Sequence, residues 1–339
     1  MPPPVESPIL LSICIPTFQR ARYLTVALES VARQAVPGVE VVVSDNASDD
    51  NTGEVVRSFQ QRWPCCTYHR WDRNQGPDLN WYKVIELARG RYCWLFGDDD
   101  AFAPGALEQM LLQIRGGQDI YLCNSILCRN GLEPVRSTAR FRGIRTDHVF
   151  SLYSPREIDA YLRTARNLDG GFSYLSSLVF RRDRWMAVSV PAAIYKTCYL
   201  HVFMMMSIVR AGATVKYVHA PLLYTHGLNL AGNPHPTATQ TLVQVALDFD
   251  SLGLIAHQVF GDSPELYRIY DSFLRRCFRF RVIEWRACFN RKDWREIETR
   301  LHRFGFSRAR ILRDSALSYC LSWALHARAR LWRLLGRSV

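Results

Sequence analysis

Apolar and polar positions come in blocks along the first third of the chain. Residues 9–15, Ile-Leu-Leu-Ser-Ile-Cys-Ile, make a nearly continuous apolar run of strand length. Pro16-Thr17-Phe18-Gln19-Arg20 closes that run as a loop, because proline has no amide proton for a ladder. Leu24, Ala27, Leu28 and Val31 recur at helical spacing, and Pro37-Gly38 breaks the helix. Residues 39–43 form a second apolar strand, which runs into Ser44-Asp45-Asn46-Ala47-Ser48-Asp49-Asp50. Asn51-Thr52 predicts the start of a helix reaching residue 61. A short strand over 67–71 leads to the turn Arg73-Asn74-Gln75-Gly76-Pro77. A helix over 79–89 follows, with Gly90 as its C-cap. Residues 92–96 are a buried strand that ends in Gly97-Asp98-Asp99-Asp100, and a helix is predicted over 104–114.

Strand and helix therefore alternate four times within 115 residues. This order predicts a mostly parallel sheet with helices on both faces, in which ligands bind beyond the carboxyl ends of the strands. Three polar clusters fall at those ends: Pro16-Thr17, Asp45-Asn46 and Asp98-Asp99-Asp100. Adjacent carboxylates repel, and burial raises the cost. A hard divalent cation, Mg²⁺ or Mn²⁺, would relieve that conflict. The competing explanation is a solvated acidic turn. No Gly-x-Gly-x-x-Gly follows the first strand and no Gly-Lys-Ser/Thr loop occurs, which argues against a dinucleotide enzyme and a P-loop phosphotransferase.

In the second half, residues 174–180 are strand-like and Arg181 to Trp185 begins a helix. Gly170-Gly171 would let a ligand approach the backbone. Residues 216–219 are a strand, with Pro221 after it. Composition narrows the class. The chain has 339 residues, 48% hydrophobic and 22% charged, as in a globular protein. No apolar run reaches the length of a membrane span, and Met1-Pro2-Pro3-Pro4 does not open a secretory signal. Ten cysteines without metal-ligand spacing predict reduced thiols in a cytoplasmic protein. The net charge of +12 calls for an anionic partner. From Glu265 onward 18 Lys or Arg face 7 Asp or Glu, with aromatics interleaved. Residues 328–335 are cationic and amphipathic, the pattern of a segment lying on an anionic membrane surface. No nucleic-acid motif is present, so nucleic acid is not the expected partner.

The four motifs taken together, Ile13-Cys14-Ile15-Pro16-Thr17-Phe18-Gln19-Arg20, Ser44-Asp45-Asn46-Ala47-Ser48-Asp49-Asp50, Asn74-Gln75-Gly76 and Gly97-Asp98-Asp99-Asp100, resemble the nucleotide-binding half of family 2 glycosyltransferases. The resemblance covers roughly residues 9–115, weakens toward 230, and is greatest to the bacterial abequosyltransferase type that decorates surface polysaccharide repeat units. It implies an α/β GT-A fold: a mixed, mostly parallel sheet flanked by helices, with a basic helical C-terminal appendage. The implied divisions are 1–120 for the nucleotide sugar, 121–240 for the acceptor, and 241–339 for the appendage, the candidate membrane-associated part.

The resemblance also implies roles. Pro16 and Thr17 would lie against the nucleoside, and Asp45 would hydrogen-bond the base. Arg20, Asn74 and Asp98 would complete the nucleotide site, Asp98 approaching ribose or metal. Asp99 would be the chief ligand of Mn²⁺ or Mg²⁺, joined by Asp100 and by His226. Gly97 stands where the family has an aspartate, which shifts the acidic pattern by one. Counting back from Gly212 places His201 where the family has its catalytic aspartate. An imidazole titrating near neutrality could take the acceptor's proton. Asp169 is the second candidate base, and a core histidine on a Met-rich helix is the competing reading of His201. Residues 226–238 are a candidate lid.

The expected activity is metal-dependent, inverting transfer of a sugar, with deoxy- and dideoxyhexoses as candidates, from a nucleoside diphosphate to a hydroxyl of a growing glycan. The acceptor would be linked to polyprenyl diphosphate, and the enzyme would be peripheral on the inner face of the cell membrane. The rival classes are a nucleotidyltransferase and a catalytically degenerate nucleotide-sugar-binding scaffold.

Overall fold

Strands that are apolar at nearly every position need cover on both faces, and the first half of the chain supplies it. The computed structural model describes residues 9–34, 36–129, 132–226, 238–285 and 291–315. β1 (Leu11–Thr17), β2 (Val39–Asp45), β3 (Cys66–Arg70) and β4 (Tyr92–Leu95) are parallel, in the order β3-β2-β1-β4. They are connected by α1 (Ala21–Ala32), α2 (Thr52–Arg62) and α3 (Pro77–Leu87). Alternate side chains feed two cores. Leu11, Ile13, Ile15, Val41, Val43 and Trp94 pack with Leu24, Leu28 and Val31 of α1 and with Val56 and Phe59 of α2. Cys14, Val42, Cys93 and Leu95 pack on the other face with Val84 and Ile85 of α3.

After β5 (Ala101–Phe102) and α4 (Ala106–Ile114) come β6 (Ile120–Arg129), β7 (Glu133–Thr138), β8 (His148–Leu152), α5 (Pro155–Thr164), β9 (Leu178–Arg181), α6 (Arg182–Met186), α7 (Leu200–Arg210) and β10 (Ala213–His226). The ten strands among the described residues join one sheet, whose main path is β3-β2-β1-β4-β9-β6-β10-β5. β9 is antiparallel to both β4 and β6. The pairing of Leu95 with Leu178 therefore sets the residues just before β9 against the residues just after β4. This one reversal brings the second half of the chain onto the Asp98-Asp99-Asp100 turn.

Several expectations are corrected. Of the strand-like stretch 174–180 only 178–180 is strand, which runs on to Arg181 and is preceded by a 3-10 turn at Leu175–Ser177. β10 passes through Pro221 instead of stopping before it. The register slips on both sides of Pro221, so the missing amide falls at a bulge, where a sheet tolerates it. Gly90 is not the C-cap of α3, which is Ala88. A Cβ on Gly90 would lie 2.6 Å from Ser12 Oγ, so glycine there admits β1. The cradle at Gly171 is likewise filled by protein: its Cβ would lie 2.5 Å from the ring of Phe273.

Phe273 belongs to the C-terminal helices α8 (Ala238–Phe260), α9 (Pro264–Trp285) and α10 (Arg291–Arg303). Phe249, Tyr270, Phe273, Phe278, Trp294 and Phe306 of this region are buried in the same core as α7. These interleaved aromatics are core residues, and several arginines between them are tied to the protein: Arg275 pairs with Asp271, Arg279 with the buried Asp314, Arg300 with Asp250 and Glu296, and Arg276 donates to Leu162 O and Ala165 O. No helix among the described residues is long and apolar enough to cross a membrane. The cationic segment 328–335 and most of the candidate lid lie outside the described residues.

Candidate active site

The three consecutive aspartates after β4 have three different environments. Asp98 is buried; Thr17 Oγ1 donates to its Oδ2 at 2.7 Å and Arg20 Nη1 to its Oδ1 at 3.2 Å. Burial pushes its carboxyl up to about 6, against the pull of the Arg20 charge. Asp99 keeps 42% of its side chain exposed and takes Arg20 Nη1 on Oδ2 at 2.7 Å. Asp100, expected beside Asp99 as a metal ligand, is instead committed inward, and its Oδ2 accepts from both Tyr174 Oη and Ser176 Oγ. Burial, followed by the neighbouring Asp99 charge, raises its carboxyl to about 7. Gly97 explains the shifted acidic pattern. A Cβ there would lie 3.0–3.2 Å from Ser176 Oγ, Asp99 Oδ1 and Asp100 Oδ2, so a side chain at this position would crowd the turn.

A hard divalent cation takes one or two carboxylates and completes its shell with phosphate oxygens and water. Asp98 and Asp99 fit that demand, since one cationic group, the Arg20 guanidinium, already bridges them. No cluster of three or more His, Cys, Asp or Glu among the described residues could hold a metal alone. His226 ends β10 opposite Cys128, and its side chain lies outside the described residues.

The neighbouring loops are cross-braced. Asp45 is fully buried: Ser48 N donates to Oδ1 at 2.9 Å and Tyr68 Oη to Oδ2 at 2.8 Å, with Arg70 Nε 3.7 Å away. Both oxygens hold the loop, and the side chain has no exposed surface. Thr17 is likewise turned to Asp98, and Pro16 is buried in β1. Asn74 Oδ1 accepts from Asn46 Nδ2 and Gly76 N, which ties the β2 loop to the start of α3. Asn80, one turn into α3, donates to Ser44 O at 2.9 Å and accepts from Ser44 Oγ and Trp71 Nε1. Sequence reasoning missed Asn80 because an asparagine inside a helix has no signature of its own.

The two candidate bases converge on one residue. Ser173 Oγ donates to Asp169 Oδ1 at 3.1 Å, and Ser173 O accepts from His201 Nε2 at 3.0 Å. Asp169 Oδ2 also pairs with Arg140 at 3.0 Å. The Arg140 guanidinium lies over the Tyr174 ring, whose hydroxyl reaches Asp100. His201 sits in the first turn of α7, buried against Trp81 and Tyr199. Burial pushes its imidazole down to about 4, partly offset by the Ser173 carbonyl. The neutral-range titration expected of it is corrected accordingly, since a charged ring would be stranded there without water. His201 Nδ1 is buried and has no hydrogen-bond partner.

Asp78 sets the position of α7 from across the molecule. It is fully buried at the start of α3; Leu200 N donates to Oδ1 at 3.0 Å and Cys198 N to Oδ2 at 2.8 Å. It thus caps the helix that carries His201, beside a Cys198 held at φ 56°. Asp78→Ala strands two amide donors and is expected to cost about 1–3 kcal/mol. Urea unfolding measures that loss, and a midpoint within error of the parent would refute the capping role.

Residues 12–182 match the Glycosyl transferase family 2 domain. Abequosyltransferase RfbV of Salmonella typhimurium is 34% identical over 273 residues, covering 78% of this chain and 80% of that protein. The chain belongs to glycosyl transferase family 2. The transferase is also 30% identical over 122 residues to the GalNAc(5)-diNAcBac-PP-undecaprenol beta-1,3-glucosyltransferase of Campylobacter jejuni, spanning 40% of that protein's length. Its fold is shared with S. aureus TarS 1-349 in complex with UDP-GlcNAc, at TM-score 0.62 and 18% identity over 87% of this chain and 80% of that one. It is shared also with the mannosyltransferase PcManGT of Pyrobaculum calidifontis in complex with GDP-Man and Mn2+, at TM-score 0.53 and 14% identity over 97% and 89%. The enzyme is thus a GT-A-like glycosyltransferase similar to bacterial glycan-building transferases.

Proposed function

We propose that this transferase moves a sugar from a nucleoside diphosphate to a hydroxyl of a growing, lipid-linked bacterial surface glycan, with inversion at the anomeric carbon. The observation that carries the reading is the pairing of an exposed Asp99 with an enclosed Asp98 at the carboxyl end of β4. The name of the Salmonella relative supports a deoxysugar donor, and that of the Campylobacter relative a polyprenyl-diphosphate acceptor. The net charge of +12 suits work beside anionic lipid on the inner face of the membrane.

Asp99, with Asp98 behind it, would hold Mn²⁺ or Mg²⁺, which when bound screens the charge of the departing diphosphate. Asp45, Asn46 and Asn74 shape the nucleoside's seat through the loops they brace, with no contact to the base assigned to Asp45 itself. His201 takes the acceptor's proton on Nδ1, because Nε2 is spent on Ser173 O. With a conjugate acid near 4, the ring is neutral at physiological pH and has about the basicity of an ordinary carboxylate. It can stand in for the family's aspartate once the acceptor displaces the cover of Trp81 and Tyr199. Asp169 holds Ser173 and thereby the ring.

The test incubates the purified chain with a panel of nucleoside diphosphate sugars, Mn²⁺ and polyprenyl-diphosphate-linked oligosaccharides. Nucleoside diphosphate release that requires acceptor, with an inverted anomeric proton in the product NMR spectrum, is the expected result. Binding without turnover across the panel would favour a scaffold instead.

A further inference from the structure

We infer that Arg20 is a resident counter-ion: in the donor-free protein its guanidinium fills the cation seat between Asp98 and Asp99, and so makes metal binding depend on the donor's diphosphate. The inference rests on the metal role proposed for Asp99. Arg20 Nη1 stands 3.2 Å from Asp98 Oδ1 and 2.7 Å from Asp99 Oδ2. A small cation shared by those two oxygens would meet it there. An arginine cannot shed its charge at any working pH. Two cations within a few ångströms repel strongly, so a divalent ion and this guanidinium exclude one another from the seat.

The geometry lets the side chain leave. The Arg20 main chain is held at the start of α1, where its carbonyl accepts from Tyr23 N and Leu24 N. Its side chain is 46% exposed on a long flexible stem. A second resting place lies close by, with the guanidinium carbon already 6.0 Å from the Tyr23 ring centroid, within reach of a cation–π contact. Asp98 cannot follow, because Thr17 Oγ1 fixes its Oδ2 from behind.

Charge balance supplies the donor dependence. Two carboxylates and Arg20 leave the seat with one net negative charge. A divalent cation arriving alone displaces Arg20 and offers it no new anion. A divalent cation arriving with a diphosphate brings about as much negative charge as positive, and the displaced guanidinium finds a partner in the phosphate oxygens. Arg20 is then a positioning group for the diphosphate and a guard against a bare metal.

Mn²⁺ titration followed by electron paramagnetic resonance, on the full chain without nucleotide, tests this directly. Arg20→Met is expected to bind Mn²⁺ at least about tenfold more tightly than the parent, since one competing charge has gone. Inorganic pyrophosphate should tighten Mn²⁺ binding in the parent and do so less in Arg20→Met. Circular dichroism confirms that both are folded. If Arg20→Met binds Mn²⁺ no better than the parent, while Asp99→Asn loses it, the counter-ion role is overturned and the metal reading stands. Mn²⁺ binding indifferent to Asp99→Asn, or absent from every form, overturns both.

Discussion

Asp99→Ala is expected to lower sugar transfer by about 10³-fold, roughly 4 kcal/mol of transition-state stabilisation, with the protein still folded. The separation of the two effects follows from the environment of this side chain. Asp99 is 42% exposed, and its one ion pair among the described residues is with a 46% exposed arginine. Pairs of that kind contribute about 0–1 kcal/mol. No buried donor among the described residues depends on it, in contrast to Asp98, which holds Thr17, and Asp100, which holds Tyr174 and Ser176. The loss therefore falls on turnover. Nucleoside diphosphate release and urea unfolding, measured on the same preparation, check both halves. Retained transfer would remove the metal role. A large fall in the urea midpoint would mean that Asp99 supports the turn instead.

His201→Gln is expected to lower kcat by about 10²- to 10⁴-fold, the usual contribution of a positioned base. Glutamine is the informative substitution because its amide nitrogen can keep the bond to Ser173 O while offering no basic lone pair. In the parent, kcat/KM, which reports the free enzyme, should rise through an acidic limb near pH 4 and run level through neutrality, since the ring must be unprotonated to act. The same residue leaves a mark on stability. Its folded pKa of about 4 lies below the 6.5 of an unfolded histidine. Between those values the unfolded chain binds a proton that the native state refuses. Stability from this residue is therefore complete above pH 6.5 and falls as pH drops, by about 3 kcal/mol once pH is below 4. Asp98 and Asp100 act in the opposite sense, because their raised carboxyls take protons in the native state first. In His201→Gln the acid-induced loss should shrink. Unchanged turnover there, with turnover lost in Asp169→Asn, would move the base role to Asp169. An unchanged acid slope would mean that the ring is not buried in solution.

The legible parts of this protein are those set by neighbours in the chain. β1, β2 and β4 are apolar runs of strand length, and α1 shows its buried face at Leu24, Ala27, Leu28 and Val31. Strand–helix alternation then dictates that their polar ends share one rim, which is where the acidic turn lies. β9 was harder to read. Its four residues are too few for a period, and its antiparallel direction is set by its pairing with β4 and β6. Pro221 argued for a break in β10, and only the register slip around it shows why the strand continues.

By itself the sequence determined the family, the sheet and the rim on which the acidic turn lies, because these follow from local periodicity and from motifs in a definite order. It did not determine which aspartate does what. Thr17, 81 residues from Asp98, turns that carboxylate inward, and Ser176, 76 residues from Asp100, does the same there, leaving Asp99 open. Nor did it determine the basicity of His201, which is set by enclosure between α3, α7 and the Ser173 loop. Burial and charge partners depend on segments far apart in the chain, and only the tertiary structure brings them within reach of one another.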